Sequence, residues 1–205
     1  MDNPAKAMWE DRYGADAYVY GLEPNDFVRA SVADLPPGDA LCFADGEGRN
    51  GVHLAELGHR VTSVDLSENG LAKARKLALD RGVTIETVVA DLADFDLGTG
   101  RWDLIVSIWA HTPPPVRRRL HEAVATALRP SGLFVLEAYT PDQIGRGTGG
   151  PPDAALTMTL AGLREELVGM TITHGVERDR SVVEGAGHTG EAAVVQVLAS
   201  PAAGA

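Results

Sequence analysis

Short apolar runs alternate along this chain with stretches in which apolar residues recur every three or four positions. That alternation predicts a mostly parallel sheet covered by helices on both faces. Ala40 to Ala44 (ALCFA) follows the turn signal Pro36-Pro37-Gly38 and reads as a first strand. Asp45 to Gly48 reads as a glycine-rich turn, and Asn50 to Leu57 as the helix after it, stopped at Gly58. Val61 to Asp65 is a second strand, and Ser67 caps a helix whose Leu71, Ala74, Leu77 and Ala78 share one face before Gly82 ends it. Thr84 to Ala90 alternates only in part and carries Glu86, which suits a sheet edge. Asp103 to Trp109 and Leu133 to Ala138 are mostly apolar, as central strands covered on both faces should be. Pro114 to Leu128 fits the helix between them, with Arg129 to Gly132 as its terminating turn.

The last third has a different texture. Met170 to Val183 and Ala192 to Ala199 are β-rich, and the link Gly185 to Gly190 leaves no room for a crossover helix, so the two runs are expected to be antiparallel neighbours. Before them, Gly145 to Pro152 reads as a mobile loop, followed by a helix near Leu156 to Val168. The expected fold is α/β: a doubly wound sheet of about seven strands, mostly parallel, with an antiparallel carboxyl-terminal hairpin strand and helices on both faces. No internal repeat and no second domain is visible over residues 1–205.

Composition narrows the class. Hydrophobic residues make up 44% and charged residues 23%, an ordinary globular balance. Acids outnumber Lys and Arg by 29 to 18, for a net charge of −11, which is poorly suited to holding phosphate backbones. The run Arg117-Arg118-Arg119 falls on an expected helix, where consecutive side chains diverge, so it reads as a solvated face. Neither a nucleic acid nor a membrane is expected as a partner: no apolar run approaches the roughly 20 residues that span a bilayer, and the polar, aromatic start MDNPAKAMWEDRYG is not a signal peptide. One cysteine, Cys42, excludes an internal disulfide framework and fits a reducing, cytoplasmic setting. As part of a strand, it reads as a small core hydrophobe.

Candidate chemistry begins at the first turn. Gly46, Gly48 and Gly51 spell G-x-G-x-x-G after a strand, and Asp65 ends the next strand, the form of a dinucleotide fingerprint. Two readings stand at this point. A nicotinamide or flavin cofactor would lay its pyrophosphate on the amino terminus of the following helix, where the dipole favours negative charge. Asp45 and Glu47 in that loop would repel a diphosphate, although Arg49 offsets part of their charge. S-adenosylmethionine carries a cationic sulfonium and amino group and no phosphate, so it tolerates those acids. Asp91, after the third strand, is placed where ligands of open α/β sheets bind and could accept from an adenine amino group.

Taken together, these residues resemble the class I S-adenosylmethionine-dependent methyltransferases, over about Leu41 to Tyr139 and again at the terminal hairpin. Gly46-Glu-Gly-Arg-Asn50, the opening Trp9-Glu-Asp-Arg-Tyr13 and Tyr18-Val-Tyr-Gly-Leu-Glu-Pro-Asn25 are similar to the small bacterial branch around tellurite-resistance and thiopurine-type enzymes. The resemblance implies a Rossmann-like fold and S-adenosyl-L-methionine as cofactor, with S-adenosyl-L-homocysteine as product. It implies that Ala44, Asp45, Gly46, Glu47, Gly48 and Asn50 cradle the methionine portion, that Asp65 with Leu66 holds the ribose, and that Asp91 with Leu92 meets the adenine. Ser107, in the segment to His111, would line the cofactor and acceptor side, and Trp9, Arg12 and Tyr20 would close over the methionine end. The implied layout is one methyltransferase domain: 1–38 a cofactor-covering segment, 39–139 the cofactor core, 140–169 the substrate-side loop and helix, 170–205 the hairpin. The chain departs from the class pattern at Cys42, where an acid is usual, and at Ala44, where a glycine is.

Methyl transfer from a sulfonium is an in-line displacement, so positioning carries most of the work. No G-x-S-x-G is present, and the six histidines show no metal spacing; no metal is expected. His111 is the first candidate for a base or acceptor-positioning group, followed by Tyr139 and His188, while Arg146 could attract an anionic acceptor or be plain surface. The short insertion Thr140 to Gly169 favours a small-molecule acceptor, and the resemblance leans towards a thiol, selenol or other soft nucleophile. An NAD(P)-dependent oxidoreductase and a non-catalytic S-adenosylmethionine-binding protein are the other two readings. The oligomeric state is open.

Overall fold

The computed structural model describes residues 3–203. Seven strands form one sheet in the order β3-β2-β1-β4-β5-β7-β6, the doubly wound α/β arrangement expected from the sequence. Two compact units divide the chain: residues up to 95 with 184–187, and residues 96–183 with those from 188 onward.

The first unit holds α1 (Pro4–Arg12), α2 (Asp26–Val32), β1 (Asp39–Phe43), α3 (Arg49–Glu56), β2 (Arg60–Asp65), α4 (Glu68–Asp80) and β3 (Glu86–Val89). β1, β2 and β3 are parallel, with Phe43 opposite Val64 and Asp65 opposite Val89, so their carboxyl ends finish together. β3 is the sheet edge, as its mixed pattern implies. Neither α1 nor α2 follows from hydrophobic periodicity. α1 buries none of its side chains, and its signal is instead a cap: Asn3 accepts from the amides of Ala5 and Lys6, and Pro4 starts the helix. Asn25 does the same for α2, accepting from Phe27 and Val28.

The second unit holds β4 (Trp102–Ile108), α5 (Pro114–Ala127), β5 (Leu128–Tyr139), α6 (Leu160–Glu166), β6 (Met170–Glu184) and β7 (His188–Pro201). β4 and β5 are parallel, β4 almost wholly buried and β5 buried from Phe134 to Tyr139, while β7 runs antiparallel to β5. β6 is the other edge, mostly exposed or half-buried, and turns into β7 within Gly185–Gly187, a tighter hairpin than Gly185 to Gly190.

Three expectations change. Arg129 to Gly132 is part of β5: Leu128 pairs with Trp102 and Leu133 with Leu104, so the four residues form an irregularity in a strand that has already begun. The helix near Leu156 to Val168 divides into a 3-10 turn, Ala154–Leu156, and α6, capped by the Thr159 hydroxyl on Gly162. Arg117 is no solvated residue, since its guanidinium grips Glu166. Among the described residues no helix is long and apolar enough to cross a membrane, and none of their His, Cys, Asp and Glu side chains cluster as a metal site.

Candidate functional site

In the first unit the chain leaves β1 through Ala44, Gly46 and Gly48, all with positive φ (45°, 56° and 86°). That sequence of left-handed residues turns the strand sharply into α3. A Cβ on Gly48 would lie 2.4 Å from the Cβ of Ala74, so the loop lies directly on α4.

The four acids around this loop do different work. Asp45 is turned back into the fold: its Oδ1 accepts from the Gly51 amide at 3.3 Å and its Oδ2 from the Ser63 hydroxyl at 2.6 Å. A carboxylate therefore sits on the first turn of α3, and burial raises its pKa against these bonds. Glu47 accepts from the amides of Val19 (2.8 Å) and Tyr20 (3.3 Å) and from Lys73 Nζ (2.8 Å). It holds down the segment after α1. Asp65 accepts from the amides of Gly46 at 2.8 Å and Ser67 at 2.9 Å, joining the loop to the end of β2. Burial still pushes its pKa up to about 6. Asp91 accepts from Ala93 N and from Asn3 Nδ2, both at 2.9 Å, so it shapes a turn as well as ending the β3 connection.

The amino-terminal segment crosses three of these places. Asn3 lies on Asp91, Glu10 sits at the start of α4, and Tyr13 lies against Gly46. The Glu10 carboxylate accepts from Ser67 Oγ (2.8 Å) and from the amides of Glu68 and Asn69 (both 3.0 Å). Burial raises its pKa, but the Asn69 amide, the Ser67 hydroxyl and the Glu68 amide outweigh that and lower it. A Cβ on Gly46 would meet the Tyr13 hydroxyl at 2.6 Å, and one on Gly70 would meet the same ring at 2.9 Å. Burial, then the nearby Asp65 charge, raises the Tyr13 pKa well above the usual phenol value. Trp9 stacks on Tyr13 at 5.4 Å, Arg12 lies over Trp9 and donates to the Tyr20 hydroxyl at 3.0 Å. Trp9, Arg12 and Tyr20 thus form one cluster, with Tyr13 as its buried member. Leu66 is half-buried and Leu92 buried.

Asn50 does not face outward: its Oδ1 accepts from the Asn25 amide at 2.9 Å. Asn25 Nδ2 donates to Glu184 at 2.8 Å, and Glu184 is ion-paired with Arg49. The hairpin tip 184–187 is tied here, with the Gly187 amide on the Val19 carbonyl. Sequence reasoning gave Glu10, Tyr13, Asn25 and Lys73 no role of their own, and Arg49 only a partial offset of the loop's charge. Glu10 and Tyr13 had a signal available, since Trp9, Glu10 and Tyr13 come to one side when W-E-D-R-Y is wound as a helix.

In the second unit, Ser107 is buried within β4, opposite Leu136. The chain then makes an abrupt turn: Trp109 has φ of 55°, held by its amide on the Glu137 carbonyl at 3.0 Å. Trp109, His111 and Tyr139 are brought together with ring planes within about 20° of parallel and centroids 4.3 to 6.5 Å apart. His188 is set edge-on to Trp109 at 5.2 Å and to Tyr139 at 5.4 Å. His111 has both nitrogens on backbone. Nδ1 donates to the Leu156 carbonyl at 2.9 Å, and Nε2 accepts from the Tyr139 amide at 3.4 Å. Burial pushes its pKa down to about 4, so the ring is neutral. The Gly145 to Pro152 stretch is tied by Gln143 Nε2 to Thr148 and Gly149 and by Thr148 Oγ1 to the Glu191 carbonyl. Arg146 is paired with Asp179 at 2.8 Å.

A buried charge cluster stands beside a cavity of about 220 Å³ lined by Met158, Gly162 and Leu163 among others. Glu166 takes two contacts from Arg117 Nε and one from Nη2, and accepts from His121 Nδ1 at 2.7 Å. Arg117 Nη1 reaches the carbonyls of Ala155 and Thr157, so the cluster also holds the 3-10 turn.

Residues 40–132 match a family described as methyltransferase domain. A 2-heptyl-1-hydroxyquinolin-4(1H)-one methyltransferase of Mycobacteroides abscessus is 27% identical over 113 residues, which is 51% of this chain and 50% of that protein. The chain spans about half the length of the curated relatives it matches. Among solved structures, a chain from work on the conversion of a disulfide bond into a thioacetal group during echinomycin biosynthesis superposes with a TM-score of 0.77. It is 22% identical, with 98% of this chain and 93% of that one covered. TehB from Haemophilus influenzae gives a TM-score of 0.70 at 18% identity, covering 96% of this chain and 67% of its own. The last two likenesses concern the fold.

Proposed function

We propose that this chain is a class I S-adenosylmethionine-dependent methyltransferase and transfers the methyl group of S-adenosylmethionine to a small-molecule acceptor, a reading supported by the match of residues 40–132 to the methyltransferase-domain family. The observation that carries this reading is Asp45. Its carboxylate occupies the first turn of α3 through the Gly51 amide, the place where a dinucleotide would lay its pyrophosphate. A second negative group there is repelled, whereas a cofactor without phosphate is not. This argues against the NAD(P) reading at the same glycine turn that suggested it.

The residues present fit the cofactor by chemistry. Asp65 and Asp91 are acceptors for ribose hydroxyls and an adenine amino group, with Leu66 and Leu92 supplying apolar contact beside them. The turn from Ala44 to Gly48 offers backbone to the methionine portion, and Trp9, Arg12 and Tyr20 close that end, with Tyr13. Asp45, Glu47 and Asn50 act one step back: they hold the loop, the covering segment and α2. When bound, the cofactor supplies an electrophilic methyl carbon and leaves as the neutral thioether S-adenosylhomocysteine.

The second unit supports a reading of the acceptor class. A group that must lose a proton needs a base, and His111 has both nitrogens engaged by backbone. An acceptor already ionised near neutral pH needs none, which supports a selenol, an acidic thiol or a similarly soft nucleophile. Tyr139 and His188 are assigned to the acceptor side, and Ser107 to the strand that supports it. The chain works in the cytoplasm, where buried Cys42 stays reduced.

Calorimetric titration with S-adenosylmethionine, S-adenosylhomocysteine and NADPH tests the reading. Binding of the first two alone is expected. Binding of NADPH alone overturns it. Binding of the first two with no transfer to a panel of thiols, selenite and phenols makes the chain a non-catalytic binding protein.

A further inference from the structure

The backbone at Trp109 is the most unusual in the second unit. A left-handed φ of 55° is uncommon for any residue with a side chain and is a genuine outlier for a bulky one. Such conformations persist only where the surroundings over-determine them, and they collect at ligand sites. Here the surroundings do so. The Trp109 amide is bound to Glu137 O, its carbonyl accepts from the His111 amide, and the Thr112 amide closes on Ala110 O. The strain sits at the carboxyl end of β4, the end of an open α/β sheet where ligands bind.

What the strain secures is the direction of one ring. Tyr139 is fully buried and stacked on it at 4.3 Å, and Gly150 packs against the Tyr139 ring, where a Cβ would lie 3.0 Å away. His111 stacks on Tyr139 and is fixed by Leu156 and the Tyr139 amide. Arg180, 6.0 Å from the Trp109 ring, is itself locked onto buried Glu137 at 2.7 and 2.8 Å. Neither His111 nor Arg180 can follow a ligand by changing rotamer without losing a bond. Trp109, by contrast, is only partly buried. A braced stack with one partly open indole is a rigid plane.

We propose that Trp109 is a specificity-determining residue of the reaction, selecting an acceptor whose nucleophilic atom is attached to a planar, conjugated ring, with His111 a positioning residue that braces the plane. The proposal rests on the methyl-transfer reading for its activity arm. Offset stacking on a preformed aromatic surface adds to the area buried and orients a flat acceptor in one plane. An alkyl acceptor of equal acidity gains neither.

The test compares wild type with Trp109→Phe and Trp109→Leu. Two acceptors are used, benzenethiol and a fluorinated alkane thiol of similar acidity, with S-adenosylhomocysteine release as the readout. The wild type is expected to favour the aryl thiol in kcat/KM, the Phe variant to keep that preference, and the Leu variant to lose about tenfold of it, with cofactor affinity unchanged in all three. A parallel calorimetric titration with quinoline reads the ring without any transfer and should show about tenfold weaker binding in the Leu variant alone. Equal aryl-to-alkyl ratios, or equal quinoline binding, in wild type and a folded Leu variant would overturn the proposal. Should the protein bind no S-adenosylhomocysteine, the methyl-transfer reading fails by itself, and the quinoline series still decides the role of Trp109. His111→Asn, which can still donate and accept, should raise the acceptor KM less than His111→Ala, with no limb of the pH profile removed. Loss of such a limb would make His111 a base and overturn its assignment as a brace.

Discussion

Asp65 in the first unit and Glu166 in the second are both buried carboxylates with several donors, yet they lie at opposite ends of the acid scale. Asp65 is raised from 3.8 to about 6 and Glu166 lowered from 4.5 to about 2. For both, burial pushes upward. The difference is in the partners: Asp65 meets backbone amides, which are dipoles, and a second acid, Asp45, nearby. Glu166 meets a guanidinium and an imidazole, against which burial loses. One carboxylate has been left unneutralised at the end of a parallel strand, and the other has been saturated inside a clasp between α5 and α6. The first pattern fits the binding role proposed for Asp65, and the second fits a structural joint.

That contrast can be broken most forcefully at Glu166. Glu166→Ala leaves Arg117 and His121 facing each other in a largely buried space and should cost about 3–5 kcal/mol. Chemical denaturation measures it, and a loss below 1 kcal/mol would show the clasp to be ornamental. Cofactor affinity should barely change if the folded fraction is held constant.

The pH dependence separates the two acids by sign. For Glu166 the folded pKa is depressed, so its stabilisation is present above 4.5 and lost as pH falls towards about 2. For Asp65 the folded pKa is raised, so the folded state binds the extra proton and stability declines as pH rises from about 3.8 to about 6, then levels. Denaturation between pH 4 and 6 should therefore flatten in Asp65→Asn. A wild-type slope that survives in the variant assigns it elsewhere.

Asp65→Asn sharpens the functional half. Removing the charge while keeping the shape should weaken S-adenosylhomocysteine binding by about 1–3 kcal/mol, with no comparable loss of stability. Wild-type affinity should fall as pH drops through about 6, the pKa of the free site, and the variant should lose that dependence. Affinity that is unchanged in the variant would place the ribose away from Asp65.

How much of this was legible in advance depends on what holds each part. The strands β1, β2, β4 and β5 are written as apolar runs because they are buried on both faces, and Asp65 and Asp91 follow from where those runs end. α1 carries no such writing, since it buries no side chain of its own; it is held by Glu10 on the amino terminus of α4 and by Tyr13 just beyond its end, on Gly46. Those contacts join residues about 60 or 30 positions apart, and no periodicity records them. Likewise the sequence marks Asp45, Glu47 and Asn50 as loop residues but not that they turn inward, because a polar residue is written identically whether it meets a ligand or an amide. His111 could be placed at a strand end from sequence alone, but its two backbone partners come from Tyr139 and Leu156, distant in the chain.

Ala44 is the smallest effect and tests the loop from its other side. In this position, where the class resemblance implies a glycine, it holds φ at 45°, a conformation that costs a residue with a Cβ about 1–2 kcal/mol. Glycine would remove that cost but adds freedom to the unfolded chain, worth about 0.4–1 kcal/mol in the opposite direction. The two partly cancel, so Ala44→Gly should stabilise the protein by about 0–1.6 kcal/mol. The Asp45 amide, bonded to the Val64 carbonyl, and Asp45 Oδ1 on Gly51 already fix the turn on the side of Ala44 that leads into α3. Cofactor affinity should therefore change less than it does in Asp65→Asn. A gain in affinity of tenfold or more would mean instead that the methyl group of Ala44 itself obstructs the methionine end, and that this chain has given up binding strength at the residue where it departs from the class.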